Sequence, residues 1–232
     1  PNTSGWLAVT HQQSGYKGVA TVYDSSFSPK MEINYSSTFV VDAALSNDNR
    51  TVAVIIMGQG TQSFESRAVL YTVGKEEPAA TVSLGNSTVL DLQFGSQCFR
   101  ALGEDTLSLV TPDGQLTSYA FSDRYLKGYD LNGGSFSLLL LGRYRAGTAN
   151  ELAVVGDDGA LIGTLDPDAQ VLDLSAAGRY FAVLTADRLD IYTDDLTLYA
   201  SLSDTQGARS VSLREDGTAL LANSEQAWLY LP

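Results

Sequence analysis

Aspartates that recur along the chain are the residues best suited to do chemistry. Asp42, Asp91, Asp130 and Asp173 each stand third in a short apolar motif such as Val-Leu-Asp-Leu, and Ser212 takes the fifth such place. Carboxylates that line a common channel would form an acidic ring for a cation or a basic group. A pair of them could also serve as acid and nucleophile or base in glycoside hydrolysis. The alternative is structural, with each carboxylate accepting hydrogen bonds from the backbone of a neighbouring repeat. Because the aspartates repeat evenly and do not differ by role, the pattern favours the structural alternative.

Other catalytic groups are scarce. His11 is the only histidine and Cys98 the only cysteine, so no Cys/His zinc site can form. The sequence has no G-x-S-x-G elbow, Walker loop or dinucleotide fingerprint. We predict an ordinary strand-end histidine at His11 and a buried thiol at Cys98. The sequence therefore predicts no catalytic residue, no metal and no cofactor, and it favours a protein that is not an enzyme.

The elements that position the aspartates are short strands. Residues 171–202 (VLDLSAAGRYFAVLTADRLDIYTDDLTLYASL) contain four apolar runs separated by turn residues, which indicates a four-stranded antiparallel meander. The motif recurs at spacings of 49, 39, 43 and 39 residues (42→91→130→173→212). Repeats of about 40–45 residues made of short strands are typical of β-propeller blades. We therefore predict an all-β fold, a propeller or propeller fragment, with four complete and two partial blades.

The blades divide the chain as one propeller domain over residues 1–232. Their approximate ranges are 1–36, 37–85, 86–126, 127–168, 169–206 and 207–232. The first range supplies only strands two to four, and the last supplies only strands one to three. We expect the chain to be part of a larger propeller with further blades upstream. A six-unit ring with two imperfect blades is the alternative.

Aromatic and basic residues gather in the long connections between strands two and three and in the linkers between blades. Such connections project from one face of a propeller, and Tyr and Arg are enriched in binding hot spots. The predicted binding rim comprises Tyr16, Lys17, Phe64, Arg67, Tyr125, Arg143, Tyr144 and Arg145. The alternative is that these are scattered surface residues.

The charge of the chain limits its partners. The formal net charge is −13, from 27 acidic against 14 basic residues. Nucleic acid and anionic membrane surfaces are polyanions, so the sequence argues against both. No apolar run approaches 18 residues, so we predict no membrane span within this chain.

Three segments carry a resemblance to a known group of proteins. They are residues 4–10 (SGWLAVT), 14–24 (SGYKGVATVYD) and 40–46 (VVDAALS). The chain resembles an uncharacterised family of membrane-anchored propeller proteins of Gram-positive bacteria, and more distantly TolB-like and WD-like propellers. The resemblance implies an upstream anchor and an extracytoplasmic, cell-surface location. It brings no catalytic residues.

The functional expectation follows from these observations. We expect a non-catalytic module that binds an unknown protein, peptide or glycan through the long-connection face. The alternative is a carbohydrate-active propeller enzyme that uses inner-strand carboxylates such as Asp42 and Asp130.

Overall fold

The computed structural model describes residues 1–60 and 63–232, and all regular structure in these residues is β. Short β-branched runs between Gly, Asn and Asp turns form 22 strands in six antiparallel sheets. Within the described residues no helix has the length and apolar character needed to cross a bilayer. The chain divides into two compact units, residues 1–118 and 119–232, and each is described separately.

The first unit holds three sheets. The first sheet has strands β1 (Leu7–His11), β2 (Gly18–Tyr23) and β3 (Pro29–Tyr35). The second has β4 (Phe39–Leu45), β5 (Thr51–Gln59), β6 (Phe64–Thr72) and β7 (Pro78–Ser83). The third has β8 (Val89–Phe94), β9 (Phe99–Gly103), β10 (Thr106–Val110) and β11 (Leu116–Ala120), the last of which ends just past the unit boundary.

The second unit also holds three sheets. Its first has β12 (Tyr125–Asp130), β13 (Phe136–Gly142), β14 (Glu151–Gly156) and β15 (Leu161–Leu165). Its second has β16 (Val171–Ala177), β17 (Tyr180–Thr185), β18 (Leu189–Thr193) and β19 (Leu198–Leu202). Its third has β20 (Ser210–Leu213), β21 (Ala219–Ala222) and β22 (Ala227–Tyr230).

The first sheet has three strands, and its pairing can be compared with that of the complete blades. The pairing of β2 with β3 shifts by one residue beside the turn, between Val22 and Tyr23. The same shift occurs between strands three and four of other sheets, for example between Ile191 and Tyr192 of β18. Strand β2 is also almost fully buried and β3 largely exposed, as third and fourth strands are elsewhere. The register shift of this sheet is therefore the one that strands three and four show in the complete blades.

The core lies between neighbouring sheets of each unit. Every residue of β9 and of β13 is buried, whereas the fourth strands alternate between exposed and half-buried residues. Apolar clusters fill the space between sheets, such as Val54 and Val69 with Ala20 and Val22 in the first unit. First strands of neighbouring sheets lie side by side, β4 with β8 and β16 with both β12 and β20. The repeated aspartates lie on these first strands.

Candidate functional site

Four of the five first strands carry a bulge, which sets the register of the aspartates, whereas β20 pairs with β21 without a shift. In β4, β8 and β16 the pairing with the second strand shifts by one residue directly before Asp42, Asp91 and Asp173. In β12 the shift lies between Leu126 and Gly128, so Gly128 takes the equivalent place. Asp130 lies two residues farther along the strand. Its assignment to the same position was therefore wrong, because a bulge moves the pairing without changing the apolar pattern of the sequence.

The carboxylates after the bulge join neighbouring first strands. Asp42 Oδ2 accepts a hydrogen bond from the backbone N–H of Leu92 at 3.1 Å. Asp173 Oδ2 accepts from the N–H of Val211 and from the hydroxyl of Ser210, both at 2.8 Å. Ser212, which takes the fifth place in the repeat, is not among the described partners of this carboxylate. These contacts are the ones that the structural alternative requires.

Asp130 makes the same kind of link from its own position. Its Oδ2 accepts from the N–H of Ala176 at 2.9 Å, and its Oδ1 accepts from the N–H of Asn132 at 2.7 Å. One sheet farther on, Ser175 Oγ accepts from the N–H of Leu213 at 2.9 Å. Asp91 differs, since its described contact is with the side chain of Gln93, at 3.3 Å. The four aspartates therefore do not form one equivalent set.

Burial sets the protonation behaviour of two of these groups. Desolvation raises the pKa of Asp42 and of Asp130 above the ordinary value, and the bonds from backbone N–H groups act in the opposite direction. The nearby charges of Asp91 and Asp173, respectively, raise the two values further. Among the described residues no group of three or more His, Cys, Asp or Glu is placed to hold a metal ion. The carboxylates of Asp42, Asp130 and Asp173 therefore stabilise the packing of neighbouring first strands through hydrogen bonds.

An open depression of about 410 Å³ lies at the end of the first unit where β1 turns into β2. Its walls are Gln12, Gln13, Ser14, Tyr16, Lys17 and Phe39. The turn is held by hydrogen bonds from Tyr16 N to Gln13 O at 3.1 Å and from Lys17 N to Tyr35 O at 2.8 Å. Gly18 then packs directly on β4, since a Cβ there would lie 2.8 Å from both Cβ and N of Val40. The depression is therefore built on fixed backbone.

The side chains of this depression combine aromatic faces with polar groups. Tyr16 and Phe39 are 41% and 46% exposed, and the Lys17 ammonium lies 4.9 Å from the centre of the Phe39 ring. Amide groups and a hydroxyl complete the wall. Such a surface can stack on an apolar face and donate or accept hydrogen bonds around it.

The sequence identified only part of this site. Tyr16 and Lys17 were predicted, whereas Phe39, Gln12, Gln13 and Ser14 were missed. Phe39 stands at the start of β4, directly after the linker from the first sheet. The linkers between blades were expected to reach the same face as the long connections. Phe39 could have been predicted from that expectation, because it directly follows such a linker.

Phe64 and Arg67 lie in a strand and not in a loop. Pairing of Gln59 with Phe64 extends β5 and β6 into the predicted loop, and residues 61–62 lie outside the described residues. Arg67 is held by an ion pair with Glu65, at 2.6 Å between Nη2 and Oε2. Phe64 remains 60% exposed. The structure does not place either residue in the wall of the depression.

The remaining predicted residues lie in the second unit. Arg143, Tyr144 and Arg145 are exposed in the loop between β13 and β14. Tyr125 is the first residue of β12 and not part of a linker, so β12 begins two residues before the predicted blade range 127–168. It pairs with Gly142, which precedes this loop. Tyr125 therefore lies beside the base of the loop that carries the other three residues.

The two residues considered for nucleophilic chemistry have ordinary surroundings. His11 ends β1, is exposed, and has its Nε2 atom 3.0 Å from Thr21 Oγ1. Cys98 is buried, as predicted. Neither residue lines the depression.

Comparison with known proteins identifies the fold. No protein-family model and no curated sequence matches the chain. A solved structure described as the eukaryotic initiation factor aligns at 13% identity with a TM-score of 0.64, over 97% of this chain and 60% of that one. The fold is a β-propeller.

Two further propellers show the same likeness. Hsv2p of Kluyveromyces lactis aligns at 11% identity with a TM-score of 0.58, over 97% of this chain and 70% of that one. The C-terminal WD40 domain of Sif2 aligns at 12% identity with a TM-score of 0.52, over 94% and 76% of the two chains. The fold class predicted from the repeat, with four complete and two partial blades, is confirmed.

Proposed function

We propose that this propeller is a non-catalytic binding module and that the depression beside Tyr16 is its ligand site. The observation that carries the proposal is the juxtaposition of Tyr16, Lys17 and Phe39 on a fixed turn of the first blade. A rigid scaffold that displays aromatic and cationic side chains at one loop is a common arrangement for recognition. Propellers with structures like this one are scaffolds whose surface loops differ in function.

The chemistry of the wall suits a glycan or a peptide. An aromatic ring can stack on the apolar face of a sugar or on an apolar side chain, while the amides of Gln12 and Gln13 bind hydroxyl or peptide groups. Lys17 adds one positive charge for a carboxylate or for the electron-rich side of a ring. The inner-strand aspartates stay outside this function, because Asp42, Asp130 and Asp173 already accept bonds from the backbone of the next strand.

We also propose that the module works outside the cell, tethered by a segment that precedes it in the parent protein. The resemblance of residues 4–57 to membrane-anchored propellers of Gram-positive bacteria supports this location. The partner would then be a surface protein, a peptide or a wall glycan. The net charge of −13 argues against nucleic acid.

A binding screen with matched variants tests the ligand site. The purified protein would be applied to an array of cell-wall glycans and peptides, and each hit would be measured by calorimetry. Tyr16→Ala and Phe39→Ala should each weaken binding by about tenfold, because truncation of a contact aromatic removes more than about 1 kcal/mol. Phe27→Ala is the control. Phe27 lies in the turn between β2 and β3 of the same sheet and is 74% exposed, but it does not line the depression.

Two outcomes would contradict the proposal. One is a ligand whose affinity is unchanged in both Tyr16→Ala and Phe39→Ala. The other is an equal loss in Phe27→Ala, which would show that the variants act on general surface properties.

A further inference from the structure

The bulge of β12 places a lysine where the other first strands have an apolar residue. The bulged residue is Val41 in β4, Leu90 in β8 and Leu172 in β16, but Lys127 in β12. Lys127 is half-buried, and its Nζ donates a hydrogen bond to the carbonyl oxygen of Arg145 at 2.8 Å. Lys127 is therefore the one polar residue among the four bulged positions, and it contacts the backbone of the loop between β13 and β14.

The side chain of Lys127 packs closely against the backbone at Gly142. A Cβ on Gly142 would lie 2.6 Å from Cε of Lys127 and 3.1 Å from the carbonyl oxygen of Thr148. The base of the loop is closed by two more bonds, from Arg143 N to Asn150 Oδ1 and from Asn150 N to Leu141 O, both at 3.0 Å. The loop is thus fixed at its base and at Arg145.

The side chains that this loop displays are cationic and aromatic. Every residue from 143 to 148 is exposed, and Tyr144 is 69% exposed. The nearest acid in sequence, Glu151, pairs with Arg124. Within the described residues neither Arg143 nor Arg145 forms an ion pair. Two guanidinium groups therefore remain available on a chain with a surplus of acids.

We propose that residues 143–145, supported by Lys127, form a docking site for an acidic surface of a protein partner. Arginine forks match carboxylates bidentately, and Tyr and Arg are the residues most enriched in protein–protein hot spots. The loop is a projection and not a cavity, so it fits a macromolecular surface and not an enclosed small molecule. The site differs from the depression beside Tyr16 and does not depend on it.

Acidic peptides provide the test. Peptides of about 15 residues, rich in Asp and Glu and carrying Leu or Phe, would be immobilised beside copies with Asn and Gln in place of the acids. The intact chain should bind the acidic set and not the neutral set, and binding should weaken as salt rises. The double variant Arg143→Ala/Arg145→Ala should lose binding by about tenfold or more. Arg143→Lys/Arg145→Lys should lose less, since charge is kept and the fork is not.

Matched controls separate the site from net charge. Arg209→Ala/Arg214→Ala removes the same charge from exposed positions of the same unit and should leave binding unchanged. Heparin and polyphosphate form the second arm of the experiment. The proposal is overturned if acidic peptides do not bind, if both double alanine variants lose affinity equally, or if only the non-protein polyanions bind. Tyr16→Ala should not alter the binding of acidic peptides. A negative result in this experiment therefore does not count against the proposed ligand site beside Tyr16.

Discussion

At the scale of single residues, the carboxylates of the first strands act as fasteners between strands. Asp173 accepts three hydrogen bonds, from the N–H groups of Leu174 and Val211 and from the hydroxyl of Ser210. A carboxylate can accept several N–H donors at once, which a hydroxyl or amide does less well. A half-buried donor that loses its acceptor costs free energy, so these positions should be sensitive to truncation.

Asp173→Ala should lower the free energy of unfolding by about 2 kcal/mol, because two backbone N–H groups and one hydroxyl lose their acceptor. Urea denaturation followed by tryptophan fluorescence would measure the loss. Asp91→Ala is the matched control, since the described contact of Asp91 is one bond from Gln93 at 3.3 Å. Its loss should be less than half as large. Equal losses in the two variants would contradict the fastening role.

The raised pKa of Asp42 predicts a pH dependence of stability. The folded state holds this proton more tightly than the unfolded state, so ionisation of Asp42 lowers stability as the pH rises above the ordinary aspartate value of about 3.9. Asp42→Asn removes that contribution. Whatever the amide costs through weaker hydrogen bonds at low pH, the difference in stability between variant and parent should move in favour of the variant as the pH rises from about 4 upward. Melting temperatures across this range would show it, and a constant difference would contradict the raised pKa.

At the scale of elements, close backbone approach fixes how the first two sheets meet. Gly18 of β2 lies against Val40 of β4, with no room for a Cβ. The buried partners Ala20 and Val22 follow on the same strand and enter the cluster between these sheets. The distance between β4 and the turn that carries Tyr16 and Lys17 therefore depends on the absence of a side chain at Gly18.

Gly18→Ala should lower the free energy of unfolding by about 1–3 kcal/mol, because β2 must move away from β4. The same displacement should lower the affinity for any ligand that binds in the depression. Gly128→Ala is the control, since its Cβ would meet only ordinary contacts, the nearest 3.5 Å from Leu140. That variant should be neutral or slightly stabilising, by about 0.4–1 kcal/mol. Thermal unfolding of both variants would decide, and a Gly18→Ala protein as stable as the parent would contradict the packing argument.

At the scale of the whole molecule, the repeat of about 40 residues was sufficient to predict the sheets. Apolar runs and turn residues are local signals, so the strands and their order within each sheet could be predicted from them. The position of Asp130 relative to the bulge could not be predicted, because a bulge shifts the strand pairing without changing the apolar pattern of the sequence. Phe64 and Arg67 were assigned to a loop because the extended pairing of β5 with β6 depends on the partner strand. Phe39 reaches Lys17 only through the packing of two sheets.

The bulge on the first strands also has a consequence for how such a protein can evolve. A bulged residue stands outside the ladder, so its identity is not constrained by the strand beside it. Val41, Leu90, Leu172 and Lys127 show that a large change in character is accepted there without loss of the sheet. In these four sheets the strand pairing therefore does not fix which side chain stands at the bulge, although Val41 and Leu172 also pack against the core. A polar side chain can thus arise at the bulge of one repeat, as Lys127 does in β12, while the strand pairing of that repeat is kept.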